Sequence, residues 1–71
     1  MRKEILKWIE ENTIFDVIKE TNNGLKSYLL YSSIYDLEIH IHYSKILNTY
    51  YIDITEEYEG LRNFKKALKE F

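Results

Sequence analysis

Apolar and polar positions alternate most strictly between Asp36 and Ile54, DLEIHIHYSKILNTYYIDI, where Leu37, Ile39, Ile41 and Tyr43 interleave with Glu38, His40 and His42. A period of two belongs to a strand with one dry and one wet face. The run from Thr49 to Ile54 is dense in β-branched and aromatic residues. It follows closely enough to be the antiparallel neighbour of the first, with Ile52 and Ile54 toward the core and Tyr51 and Asp53 outward.

The flanking pattern has a different period. From Arg2 to Glu11, Ile5, Trp8 and Ile9, with Leu6 beside them, lie along one side and Arg2, Lys3, Lys7, Glu10 and Glu11 occupy the other, as in a short amphipathic helix. Trp8 is expected to be the largest piece of core, and Asn12 to end the helix in the left-handed conformation of a C-terminal cap. Residues Thr13 to Glu20 read as a first strand, because Ile14, Val17 and Ile18 are β-branched and Thr21-Asn22-Asn23-Gly24 is a hairpin signal. Leu25 to Ser32 would then be its partner. If the first helix instead continues to Glu20, the sheet has three strands and not four.

At the other end Tyr58, Leu61, Phe64, Leu68 and Phe71 recur at spacings of three and four, which predicts an amphipathic helix from about Glu56 to Phe71 across the inner face of the sheet. Asp53 or Thr55 would cap it, and Asp53 with Glu56 has capping-box spacing. Gly60 falls inside this helix, marking a kink or a close helix-sheet contact. The expected fold is α+β: an N-terminal helix, an antiparallel meander of three or four strands joined by short turns, and a C-terminal helix on one face.

Length narrows the picture. Seventy-one residues suit one domain, residues 1–71, that buries only about 60 % of its unfolded surface and has little room for a deep cavity. With no cysteine, neither a disulfide nor a thiolate metal site reinforces the core. The opening MRKEILKWIEEN has no uninterrupted apolar stretch, so neither a signal peptide nor a membrane span is expected, and a cytoplasmic protein is.

The net charge of −2 hides a partition along the chain. Between Asp36 and Glu59 the acids Asp36, Glu38, Asp53, Glu56, Glu57 and Glu59 face one base, Lys45, whereas Arg62, Lys65, Lys66 and Lys69 follow with no acid among them. A uniformly basic nucleic-acid footprint is missing. The dipolar alternative is an acidic patch able to meet a basic surface, with the bases of the last helix suiting the negative end of its dipole.

The chemistry that the sequence offers is sparse. His40 and His42 put two imidazoles on one strand face with Cα atoms about 6.5 to 7 Å apart, a distance a divalent metal can bridge, and Glu38 shares that face. Any wet strand face with two histidines looks the same, so no metal or other cofactor is expected. There is no Gly-rich phosphate loop, no Cys nucleophile and no His-Glu-x-x-His helix, and an open sheet face is the opposite of a closed pocket. An enzyme is not expected.

Two families resemble the chain in layout. Lys65-Lys66-Ala67-Leu68-Lys69 is similar to the Lys-Lys-x-Ala-Lys string of the double-stranded RNA-binding domain, which implies phosphate contacts. In that family the string opens the last helix, whereas here it falls in the final turns, after Glu56, Glu57 and Glu59. The stretch Tyr51-Ile-Asp-Ile-Thr-Glu-Glu-Tyr-Glu59, beside a short N-terminal helix and an antiparallel sheet, resembles small phage-encoded inhibitors of the anti-CRISPR kind. That resemblance implies carboxylates imitating DNA phosphates on the basic surface of a nucleic-acid-processing protein such as a nuclease. The residues expected to carry binding are Asp53, Glu56, Glu57 and Glu59, flanked by Tyr51, Glu38, His40 and His42. An immunity protein neutralising a toxin has the same requirements, and the exposed sheet edge or Tyr-rich face also suits a homodimer.

Overall fold

The structure, a computed structural model, describes the backbone of residues 1–22 and 26–71 and the side chains outside 22–26. Its elements are α1 (Lys3–Asn12), β1 (Asp16–Asn22), β2 (Lys26–Ser32), β3 (Leu37–Ser44), β4 (Thr49–Ile52), β5 (Glu56–Glu59) and α2 (Gly60–Lys69). All five strands pair antiparallel in chain order, β1-β2-β3-β4-β5. The α+β meander between two helices is thus as the periodicities predict, with one strand more. The predicted Thr21 to Gly24 turn falls partly on residues 23–25, outside the described residues.

The first junction settles the choice between helix and strand for the segment after Asn12. Thr13 stops α1 in an extended conformation, φ −128°, where a left-handed Asn12 was expected. Its hydroxyl donates to the Ile9 carbonyl at 2.7 Å and accepts from the Phe15 N–H at 3.1 Å, satisfying a helix-end carbonyl and a strand-start donor together. Asn12 instead sends its Nδ2 to the Trp8 carbonyl at 3.0 Å. The turn delivers Phe15 into the core, fully buried.

The core lies between one face of the sheet and the two helices. Ile5 and Ile9 come from α1, Phe64 and Leu68 from α2, and Tyr28, Leu30, Ile39, Ile41, Tyr50 and Ile52 from β2, β3 and β4. Phe64 stacks on Tyr50 with ring centroids 4.7 Å apart, and Tyr50 meets Tyr43 at 4.4 Å. Phe71 closes the end of the layer edge-on to Phe15 at 5.3 Å. Trp8, the expected centre, is only half-buried, with the Lys65 ammonium 4.7 Å from its ring centroid. A large indole suits the rim of so thin a layer, where a cation can sit over its face. The largest fully buried side chains are Phe15 and Phe64.

The C-terminal region departs most from expectation. Glu56 to Glu59 is not the first turn of a helix but β5, paired with β4 through Thr49 and Glu59, Tyr50 and Tyr58, Tyr51 and Glu57, and Ile52 and Glu56. Pairing puts Tyr58 on the buried face beside Tyr50, a gain in burial that outweighs the low strand propensity of glutamate. The helix begins at Gly60 with no side-chain cap, so neither Asp53 nor Thr55 caps it and the Asp53 and Glu56 spacing is not a capping box. Gly60 is needed for its φ of +76° at the strand-to-helix corner. A Cβ there would meet nothing within 4 Å, so a close helix-sheet contact is not the reason for glycine. Its N–H donates to the Asn48 carbonyl at 3.2 Å, tying the corner to the β3–β4 turn.

Two outcomes follow from these contacts. Gly60→Ala is expected to cost about 1–2 kcal/mol, purely from the left-handed backbone, and Gly60→Asn less; equilibrium denaturation measures both, and a neutral Ala variant would contradict the account. Tyr50 is 5 % exposed, and burial, then the neighbouring Tyr43, pushes its hydroxyl pKa above the usual 10.0 against a smaller opposing pull from Arg2. Because the folded value lies above the unfolded one, this contribution is complete below pH 10 and is lost as pH rises through the folded value. Melting temperature should therefore fall from about pH 10 upward, and less steeply in Tyr50→Phe.

Candidate functional site

Both helices cover the same side of the sheet, so the other side has no helical layer. Register and alternation determine what it shows. One row crosses the whole sheet as Thr21, Ser27, His42, Tyr51 and Glu57. Beside it run Lys19, Leu29 and His40, then Asp16, Tyr31 and Glu38; on the other flank are Ser44, Thr49 and Glu59. The His42 and Tyr51 rings stack at 5.6 Å with planes 25° apart, and the hydroxyls of Thr21 and Ser27 hydrogen-bond across β1 and β2. An open concavity of about 560 Å³ lies here, lined by Thr21, Ser27, His40, His42, Ser44, Tyr51 and Ile54.

The eight residues singled out from the sequence divide between two sides. Glu38, His40, His42, Tyr51, Glu57 and Glu59 share the uncovered face, and Asp53 stands at the hairpin tip beside it. Glu56 does not. Alternation along β5 turns it to the helical side, where its Oε2 accepts the Tyr58 hydroxyl at 2.6 Å and thereby raises the Tyr58 pKa. Along the β5 edge a second concavity, of about 550 Å³, mixes Glu56, Glu57 and Glu59 with Lys66. The expected single acidic corner is therefore an acidic face that continues through Glu57 and Glu59 onto the β5 edge, where Glu56 and Glu70 join them beside Lys66.

Asp53 has a structural task that its sequence position does not reveal. β4 pairs with β3 only from Ser44 back to Ile41, and Asp53 then leaves the strand with φ +53°. Its N–H still donates to the His40 carbonyl at 2.8 Å. The His40 N–H, which a continuing ladder would give to a carbonyl, is instead accepted by Asp53 Oδ1 at 2.8 Å. One carboxylate replaces the missing backbone acceptor and pins the β4–β5 loop to β3.

The next residue, too, lies elsewhere than its spacing predicts. Ile54, expected in the core, is 87 % exposed with φ +71°. A β-branched side chain in the left-handed region costs about 1–2 kcal/mol, and here no burial offsets it. The available signal was an apolar residue between Asp53 and Thr55, two residues past Ile52, where the pairing of β4 ends. Thr21 and Ser27 were also missed as lining residues; small hydroxyl side chains near turns give no cue until the register is known.

Among the described residues no group of three or more His, Cys, Asp or Glu side chains is placed to hold a metal ion, and no helix is long and apolar enough to cross a membrane. On the same face Tyr31 donates its hydroxyl to Asp36 Oδ1 at 2.9 Å, and that bond, with the charges of Asp36 and Glu38, raises its pKa. The face is thus acidic, aromatic and open, with Lys19 as the base in its rows. Such a surface offers aromatic rings for stacking and carboxylates that can accept charge-assisted hydrogen bonds. Compared with protein-family models, with curated proteins and with solved structures, the chain finds no match.

The role of Asp53 can be tested without a partner. Asp53→Ala should lower stability by about 1 kcal/mol, and Asp53→Asn, which keeps an acceptor oxygen and tolerates the left-handed backbone, should recover most of it. Equal losses in urea denaturation would show that the bond to His40 contributes nothing.

Proposed function

We propose that this chain is a small non-enzymatic binding protein, an inhibitor of the phage or mobile-element kind, that docks its uncovered acidic sheet face on a basic surface of a nucleic-acid-processing protein such as a nuclease. One observation carries the reading: the row from Thr21 through His42 and Tyr51 to Glu57, with Glu38 and Glu59 on either side, lies on a face that no helix covers. Carboxylates on hydrogen-bonded strands keep fixed spacing, so they can meet Lys and Arg side chains that otherwise hold phosphate. The same sign of charge disfavours direct binding of nucleic acid to this face. The stacked His42 and Tyr51 rings add a rigid aromatic contact at little cost in side-chain entropy.

The division of the acids gives the test its edge. A protein captured from nuclease-bearing cells is purified and titrated against the wild type, the combined Glu38→Lys, Glu57→Lys and Glu59→Lys variant, and Glu56→Lys alone. The triple reversal is expected to weaken binding at least about tenfold and to flatten its salt dependence, whereas Glu56→Lys changes it far less. Equal affinity of the triple variant and wild type would refute the docking face.

A further inference from the structure

The loop between the paired residues Ile52 and Glu56 combines three properties. It is held, because the Asp53 N–H and carboxylate both bond the backbone of His40. It is strained, because Ile54 sits at φ +71°, a conformation that glycine or asparagine adopts far more readily. It also presents an exposed apolar side chain, with Ile54 87 % accessible on the wall of the concavity that His40, His42 and Tyr51 line. A chain that needed only a reversal at this point would be more stable with a different residue. Backbone strain that brings no packing within the fold points to a use outside it.

We infer that Ile54 is the apolar anchor of the docking face, seated in an apolar pocket of the partner protein whose rim carries Lys or Arg. The inference rests on the acidic-face reading and adds where on that face the contact is centred and what the partner offers there. Charge complementarity identifies the occupant: Asp53 precedes the anchor, and Glu57 pairs with Tyr51, which lines the same concavity as Ile54. A carboxylate has about four acceptor sites, so Asp53 can hold the loop and still meet a guanidinium. A rigid projecting side chain loses little freedom on binding, as a central interface contact requires. The strain at Ile54 is then a feature retained for binding at the expense of stability.

The experiment places a photocrosslinking amino acid at position 54, and separately at position 57, of the full chain expressed in its own cells. The crosslinked protein is identified, purified and titrated against wild type, Ile54→Val, Ile54→Asn and the Glu57→Lys, Glu59→Lys double variant. Position 54 is expected to crosslink a protein at an apolar segment flanked by Lys or Arg. Ile54→Asn should melt higher than wild type yet bind at least about tenfold more weakly, and Ile54→Val should bind within about threefold. Ile54→Asn binding as tightly as wild type while the acidic double variant fails overturns the anchor and leaves the face. The same holds for a crosslink from position 57 alone, or for one from position 54 only to lipid or to a second copy of this chain. An acidic double variant that binds normally, or no crosslink from either position, overturns both.

Discussion

The structure depends on a mismatch in covering: a five-stranded sheet has two faces, and the chain supplies helices for one. Ile39 and Ile41 of β3 are buried beneath Ile5 and Ile9 of α1 and Phe64 and Leu68 of α2. Burial of those side chains sets the register, because a slip of one residue would exchange the two faces completely. With Ile39 and Ile41 committed inward, Glu38, His40 and His42 have to face solvent. The candidate site therefore follows from the core.

The second organising feature is the early end of β4. Its last paired residue, Ile52, stands opposite Ile41, so the strand covers only half of β3. Ending a ladder in mid-sheet leaves a backbone donor without its carbonyl, and the Asp53 carboxylate takes that place. The consequence is a short loop fastened to the middle of the sheet, where a mobile turn would otherwise stand. That fastening makes it possible to hold Ile54 in a conformation it disfavours and to present it at a defined place beside the His42 and Tyr51 stack.

Charge is distributed by the same logic. As a helix, Glu56 to Glu59 would have set its carboxylates around an axis beside the positive helix end, where they are electrostatically favoured. As a strand, it sends Glu57 and Glu59 to the uncovered face and Glu56 to the helical side. The bases of α2 then lie on the opposite layer, Lys65 over Trp8 and Lys66 beside the β5 edge. The run of acids that is contiguous along the chain is thereby divided between the two sides of the sheet, with Glu56 near the bases of α2 and Glu57 and Glu59 on the uncovered face.

What the sequence by itself determined is whatever local periodicity encodes. The alternation of β3, the apolar stripe containing Phe64 and Leu68, the strand character of the residues after Asn12 and the outward aim of Glu38, His40, His42 and Tyr51 all follow from spacing and side-chain type. Tertiary structure alone decided the rest. Glu56 to Glu59, three of its four residues glutamate, has little strand propensity and becomes β5 because β4 offers an unpaired edge and Tyr58 a place beside Tyr50. Trp8 yielded the centre to Phe15 and Phe64 because the layer is too thin to enclose an indole at its rim. Asp53 and Ile54 changed roles because the strand ends where its partner bonds end, a point that depends on residues far away in sequence. Alternation is a property of neighbours along the chain, whereas the end of a ladder belongs to two segments at once, and only the folded molecule brings them together.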